Sequence, residues 1–304
     1  MNLLTSSQIT VEKIETICNL AFEIERTPKN FNSRLEGKIL ATLFFEPSTR
    51  TRFSFESAMQ RLGGKILTLE QGASSSTTKG ETLADTARII SYYADGVVIR
   101  HPEIGSAEEF AKYSSIPVIN GGDGSNQHPT QALTDIFTIL KEKSRLNKFK
   151  IVFVGDIKHS RTVFSLAQLL AMYEGNEFHF IAHNSCQIND EKLEILQKMG
   201  IKCLKSDVLD DILSQTDVLY VTRTQKERFS SESEYEAVKN RYTITKKMVE
   251  MGKRDLIIMH PLPRIYEISS EVDDLPQAKY FEQAKNAVFV RMAILELMLR
   301  RQLI

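Results

Sequence analysis

The chain of 304 residues is 42% hydrophobic and 26% charged, an ordinary globular composition long enough for about two domains of roughly 150 residues each. Lys plus Arg and Asp plus Glu each number 39, and a chain without net charge is a poor candidate for a general nucleic-acid partner. The opening MNLLTSSQIT has no basic segment leading into an apolar run, and no stretch reaches the ~18 apolar residues of a membrane span, so the expected compartment is cytoplasmic, with no membrane partner.

The first predicted strand, Ile39–Phe45, runs into Glu46-Pro47-Ser48-Thr49-Arg50-Thr51-Arg52. Phe55, Ala58, Met59 and Leu62, at i, i+3, i+4 and i+7, predict the helix that follows, and Gly63-Gly64 stops it. Ser48, Thr49 and Thr51 can each be a plain N-cap. Arg50 and Arg52 do not fit that reading. A helix N-terminus carries about half a positive charge, so each cation there is misplaced by some tenths of a kcal/mol unless an anion joins it. Hydroxyls, free N–H groups and a guanidinium together suit a phosphate, and the residues favour an anion cradle over capping.

Lys65–Leu69 is the second predicted strand, and Leu83, Ala87 and Ile90 mark a further helix. Val97–Arg100 ends in Arg100-His101-Pro102, where a lone arginine is ordinarily a solvated charge. Pro117–Asn120 leads into GGDGSNQHPTQ, a glycine-rich loop closed by a helix with Pro129 in its first turn and Ala132, Leu133, Ile136, Phe137 and Leu140 on one face. His128 at that helix start is either a cap or a neutral imidazole able to polarise a carbonyl. The helix ends in the charged stretch Lys141–Lys148, which reads as a helical connection between domains.

Strand Lys150–Val154 precedes Gly155-Asp156-Ile157-Lys158-His159-Ser160-Arg161-Thr162, which lacks the three-glycine dinucleotide fingerprint, so no nicotinamide or flavin cofactor is expected. Arg161 at a second helix start hints at a second anion. Phe178–Ala182 and Ile201–Leu204 follow, then Asp217–Val221 before Thr222-Arg223-Thr224-Gln225, and Leu256–His260 before Pro261-Leu262-Pro263-Arg264. The two prolines hold the backbone extended and leave its carbonyls free to accept hydrogen bonds. Gln283–Ile304 is a long amphipathic helix. Strands alternating with helices predict an α/β fold built on mostly parallel sheets. Cys18, Cys186 and Cys203 are odd in number and lack CxxC spacing, so they read as free core thiols and not as a metal or disulfide framework.

FFEPSTRTRFSFE, SSTTKGETLAD, RHP, GDGSNQHPTQAL, VGDIKHSRT, TRTQKERF and MHPLPR, in this order over almost the whole chain, resemble the transcarbamoylase family. The resemblance implies two doubly wound parallel-sheet domains joined by helices, with the C-terminal helix packing back on the first. Residues 1–129 plus 285–304 would bind carbamoyl phosphate, and 130–284 the acceptor. The implied reaction moves a carbamoyl group to an amine, with no cofactor or metal. HPLPR and the Arg223-x-Gln225 pair favour aspartate over ornithine as that amine, because ornithine-specific members typically carry cysteine in the position of Pro261.

By the same resemblance Ser48, Thr49, Arg50 and Thr51 hold the phosphate with help from Arg100 and from Ser75 of a neighbouring subunit's loop. Thr51, Arg100 and His128 stabilise the oxyanion. Gln131 and the carbonyls of Pro261 and Leu262 take the carbamoyl amide. Lys79 of the loop, Arg161, Arg223 and Gln225 hold the acceptor. Ser74 and Ser76 are alternatives to Ser75, and a single lysine, preceded by Thr78, stands where many relatives have two. The implied assembly is a homotrimer sharing its active sites, with regulatory chains as a further alternative. A different amine acceptor, or a non-catalytic anion-binding module, is the competing reading; the presence of His128, Arg100 and Lys79 together counts against the second.

Overall fold

The computed structural model describes residues 2–70, 80–226, 229–239 and 241–300. The chain divides into two compact units, one formed by residues up to Thr134 together with those from Lys285 onward, the other by Asp135–Ala284. The divisions fall inside two helices, Pro129–Lys143 and Tyr280–Leu299, so helical segments carry the chain from one unit to the other.

The first unit contains α1 (Val11–Arg26), β1 (Ile39–Phe44), α2 (Thr49–Arg61), β2 (Lys65–Glu70), α3 (Leu83–Tyr93), β3 (Gly96–His101), α4 (Ser106–Tyr113) and β4 (Val118–Asp123), and then enters α5 (Pro129–Lys143). Its four strands are parallel in the order β2-β1-β3-β4. Ala41 and Leu43 of β1, Val97 and Ile99 of β3 and Val118 of β4 lie at alternate positions and pack with Ala87 and Phe110 of the helices. Intervening residues such as Leu40 and Val98 are equally buried. A sheet covered on both faces needs apolar residues at every position, which is why these strands read as continuous apolar runs.

The second unit contains β5 (Lys150–Gly155), α6 (Arg161–Leu170), β6 (Glu177–Ile181), α7 (Asp190–Lys198), β7 (Lys202–Ser206), α8 (Asp210–Leu213), β8 (Val218–Thr222), α9 (Glu232–Val238), α10 (Lys246–Glu250) and β9 (Ile257–Met259), then α11 (Tyr280–Leu299). Its five strands are also parallel, ordered β7-β6-β5-β8-β9. Val152, Val154, Leu219, Val221 and Ile258 share one face. On the other, Phe153 stacks on Phe180 at 5.4 Å and meets Phe178 and Tyr220 edge-on.

The predicted strands are all present, with shifted ends. β4 runs three residues past Asn120 because a bulge lets Asp123 pair with His101, and the Asn120 side chain accepts the Gly122 N–H at 2.7 Å. The last helix starts at Tyr280, before Gln283. Its later part belongs to the first unit, where Arg291 Nη1 donates to Ser54 Oγ at 2.7 Å and its guanidinium covers the Phe55 ring. Cys18 and Cys186 are buried and Cys203 half-buried; burial pushes the thiols up, to about 12 for Cys18 and about 11 for the other two, so none is a thiolate at neutral pH.

One glycine in the second sheet is dictated by space. Gly155 has φ +114°, and a Cβ there would stand 2.1 Å from the carbonyl oxygen of Thr222, its register partner on β8. Gly155→Ala is therefore expected to destabilise the protein by on the order of 2 kcal/mol or more, read from urea or thermal unfolding. A variant as stable as the parent would contradict this.

Candidate active site

In an open parallel sheet, successive connections leave the strand ends in opposite directions at a switch point, and a crevice opens there beyond the carboxyl ends. The strand orders put one switch point between β1 and β3 in the first unit and one between β5 and β8 in the second. Arg50, Arg161 and Arg223 follow β1, β5 and β8, and Arg100 lies at the end of β3, while His128 follows β4 and Pro261 and Leu262 follow β9, the last strand of the second sheet.

In the first unit Ser48 is the N-cap of α2, yet its hydroxyl makes no capping bond to the helix. Thr49 and Arg50 lie exposed in the first turn, and Thr51 is buried. The first N–H groups of any helix have no partner within it, so this end is an electropositive, donor-rich point. Arg52 departs from the anion reading. It lies over the Phe53 ring at 4.8 Å, and its Nε is 3.7 Å from Glu56, one turn on, so an i,i+4 carboxylate accounts for its charge. Arg50 is left as the candidate arginine for an anion at this helix end.

Thr51 and His128 meet across the sheet end. Thr51 Oγ1 is 3.4 Å from His128 Nε2, and the other ring nitrogen is 3.5 Å from Thr130 Oγ1. His128 is buried. Its position depends on Asp123, which the sequence reading passed over. This buried carboxylate accepts from the Asn120 and Asn126 side-chain amides and from the backbone N–H groups of Gly105 and Gln127, between 2.8 and 3.1 Å. It thereby shapes the loop ahead of α5. Gln131 sits in the first turn of that helix, half-buried.

Arg100, at the end of β3, is not simply a solvated charge. Its Nε donates to Glu46 Oε2 at 3.0 Å, and both side chains are largely covered. Glu46, inside the same motif as Arg50, is thus a counter-ion at the cradle. Another overlooked residue is Ser54, whose hydroxyl hydrogen is shared between the carbonyls of Arg50 at 2.6 Å and Thr51 at 2.9 Å while its oxygen takes the bond from Arg291. Arg291 is 2% exposed and so braces the turn that carries both cradle residues.

In the second unit Arg161 opens α6 after β5, and Arg223 and Gln225 follow β8. Asp156, fully buried, joins the two strand ends. It takes the His159 ring Nδ1 at 2.9 Å and the backbone N–H of Gln225 at 3.2 Å. The Ser160 hydroxyl does not cap α6; it pairs with Thr162 at 3.1 Å and accepts from Thr222 at 3.3 Å. Pro261 and Leu262 follow β9, half-buried, with Leu262 at φ +53°. The remaining candidates, Ser75 with its neighbours and Lys79, lie outside the described residues. Among the described residues no group of three or more His, Cys, Asp or Glu side chains is placed to hold a metal ion, and no helix is long and apolar enough to cross a membrane.

The chain matches two family descriptions: "Aspartate/ornithine carbamoyltransferase, carbamoyl-P binding domain" over residues 1–141 and "Aspartate/ornithine carbamoyltransferase, Asp/Orn binding domain" over residues 147–298. It is 50% identical to the aspartate carbamoyltransferase catalytic subunit of Methanocaldococcus jannaschii over 297 residues, covering 97% of this chain and 96% of the relative. A solved structure of the catalytic subunit of the M. jannaschii aspartate transcarbamoylase superposes with TM-score 0.91 at 48% identity, covering 99% of this chain and 98% of the other. The Trypanosoma cruzi aspartate transcarbamoylase, solved with carbamoyl phosphate and aspartate, gives TM-score 0.91 at 36% identity over 97% of this chain and 95% of the other.

Proposed function

This chain belongs to the aspartate/ornithine carbamoyltransferase family, and we propose that its site residues transfer the carbamoyl group of carbamoyl phosphate to the amino group of L-aspartate, giving N-carbamoyl-L-aspartate and phosphate, the committed step of pyrimidine synthesis. Residues 1–129 with 285–304 serve as the carbamoyl-phosphate domain and 130–284 as the aspartate domain. The cytoplasm is the place of work.

The observation that carries this reading is the approach of His128 to Thr51 at the N-terminus of α2. Simple phosphate capture needs the helix end, Ser48, Thr49 and Arg50, but no imidazole. Attack by an amine on the carbamoyl carbon places negative charge on the carbonyl oxygen, and a buried imidazole, a hydroxyl and a guanidinium are suited to it. Thr51, His128 and Arg100 take that role. Gln131 and the carbonyls of Pro261 and Leu262 accept the carbamoyl N–H groups. The carboxylates of aspartate go to Arg161 and Arg223, whose planar forks fit them, with Gln225 alongside and Lys79 from the loop. The departing phosphate accepts the proton released by the amine, so the chemistry asks the protein chiefly for placement and charge stabilisation.

Two substitutions separate the substrates. Arg50→Ala is expected to lower turnover by a hundredfold or more, on the order of 3 kcal/mol of transition-state stabilisation, with the fold intact. Arg223→Ala is expected to raise the aspartate KM strongly and leave carbamoyl phosphate binding nearly unchanged. Near-normal turnover in the first, or equal damage to both substrates in the second, contradicts the assignment.

The working assembly on this reading is a homotrimer in which Ser75 and Lys79 complete a neighbour's site. Inactive Lys79→Ala and His128→Ala proteins, dissociated and reassembled together, should regain activity at sites that combine an intact loop with an intact cradle. Hybrid trimers that form and remain inactive would show that each loop serves its own subunit.

A further inference from the structure

The segment after β9 contains a buried relay that the proposed chemistry does not use. Leu262 holds φ +53°, a region that a γ-branched side chain enters at a cost, so something must keep it there. His260 Nδ1 does so by accepting the Leu262 N–H at 2.7 Å. A ring nitrogen that accepts carries no hydrogen, so the imidazole hydrogen must be on Nε2. That hydrogen goes to Glu267 Oε1 at 2.8 Å. The second carboxylate oxygen of Glu267 accepts the backbone N–H groups of Ile265 at 3.0 Å and Tyr266 at 2.9 Å.

Both side chains are buried, His260 at 1% and Glu267 at 8% exposure. Burial alone would raise the Glu267 carboxyl, but the hydrogen bond from His260 and the backbone N–H groups outweigh it and hold the group below the usual carboxylate range. It is therefore an acceptor on both oxygens at neutral pH. The backbone of His260 is fixed as well: its N–H donates to Gln283 Oε1 at 2.9 Å, Gln283 Nε2 donates to Asp135 Oδ1 at 2.7 Å, and Asp135 Oδ2 takes the Tyr220 hydroxyl at 2.9 Å. Burial and then Asp135 keep that phenol well above its ordinary value, hence a donor.

We infer that Glu267 is a positioning residue for carbamoyl phosphate: it fixes the His260 tautomer that holds the Leu262 N–H, and so aims the carbonyls of Pro261 and Leu262. The inference rests on the reading of those two carbonyls as acceptors for the carbamoyl amide. It follows that Glu267 acts on a ligand bearing that amide and not on the phosphate end. Glutamine is the informative replacement, being of equal size. Its oxygen turned to His260 sets its NH2 against two backbone N–H donors. Turned the other way, its NH2 faces Nε2 and drives the ring hydrogen to Nδ1, against the Leu262 N–H.

The test is calorimetric titration of the full chain with carbamoyl phosphate and, separately, with inorganic phosphate. Glu267→Gln is expected to weaken carbamoyl phosphate tenfold or more and to change phosphate less than twofold. His260→Asn supplies an oxygen that can accept the Leu262 N–H without help, so adding Glu267→Gln to it should cost less than twofold further. Equal weakening of both anions, unchanged carbamoyl phosphate affinity, or full additivity in the double variant would overturn the inference and leave the substrate reading standing. A parent chain binding neither anion would instead overturn the substrate reading, and the inference with it. Nitrogen-15 resonances of the parent His260 ring give a check that needs no variant: Nδ1 bare and Nε2 protonated is expected, and the reverse contradicts the relay.

Discussion

Positive potential at the carboxyl ends of two parallel sheets is the constraint on which the rest of this molecule depends. Each sheet reverses its winding between two central strands, and at each reversal a helix begins with an arginine in its first turn and no capping bond from the N-cap side chain. A helix start with Arg50 or Arg161 in its first turn has no favourable electrostatics by itself. It becomes favourable when an anion arrives, so residues that cost stability in isolation are suited to binding charged substrates. Glu46 beside Arg100 and Glu56 beside Arg52 offset part of that cost in the first unit.

A second layer of carboxylates holds the loops that present these groups. Asp123 gathers backbone and amide donors ahead of α5, Asp156 takes the Gln225 N–H and the His159 ring, and Glu267 takes His260 and two backbone N–H groups. All three are buried, and none needs to touch substrate. Loops at sheet ends lack the ladder bonds of strands, so their N–H groups need acceptors from side chains, and a carboxylate can serve several at once.

This division explains what was legible in the amino-acid sequence. Strands buried on both faces leave uninterrupted apolar runs, and helices such as α2 and α5 leave 3.6-residue periodicity, so the two-sheet architecture could be read directly. Arg50 and Arg161 stood out because a cation at a helix start contradicts a local rule. Arg52 stood out for the same reason and was less informative, since Glu56 sits one turn later and answers its charge. Asp123, Asp156, Glu267 and Arg291 break no local rule. An acid in a loop or an arginine in a helix is ordinary until folding buries it, and Ser54 and Arg291 meet only because α11 returns to the first unit. Such partners are separated by up to 237 residues and leave no periodic trace.

On the proposed reading, anion geometry selects both the reaction and its acceptor, and the second unit takes the dicarboxylate. The most direct measurement is product formation from carbamoyl phosphate with L-aspartate and, in parallel, with L-ornithine as amine. N-carbamoyl-L-aspartate should form, with ornithine left essentially unreacted. Preferential carbamoylation of ornithine, or release of phosphate with no carbamoylated amine in either reaction, would contradict it.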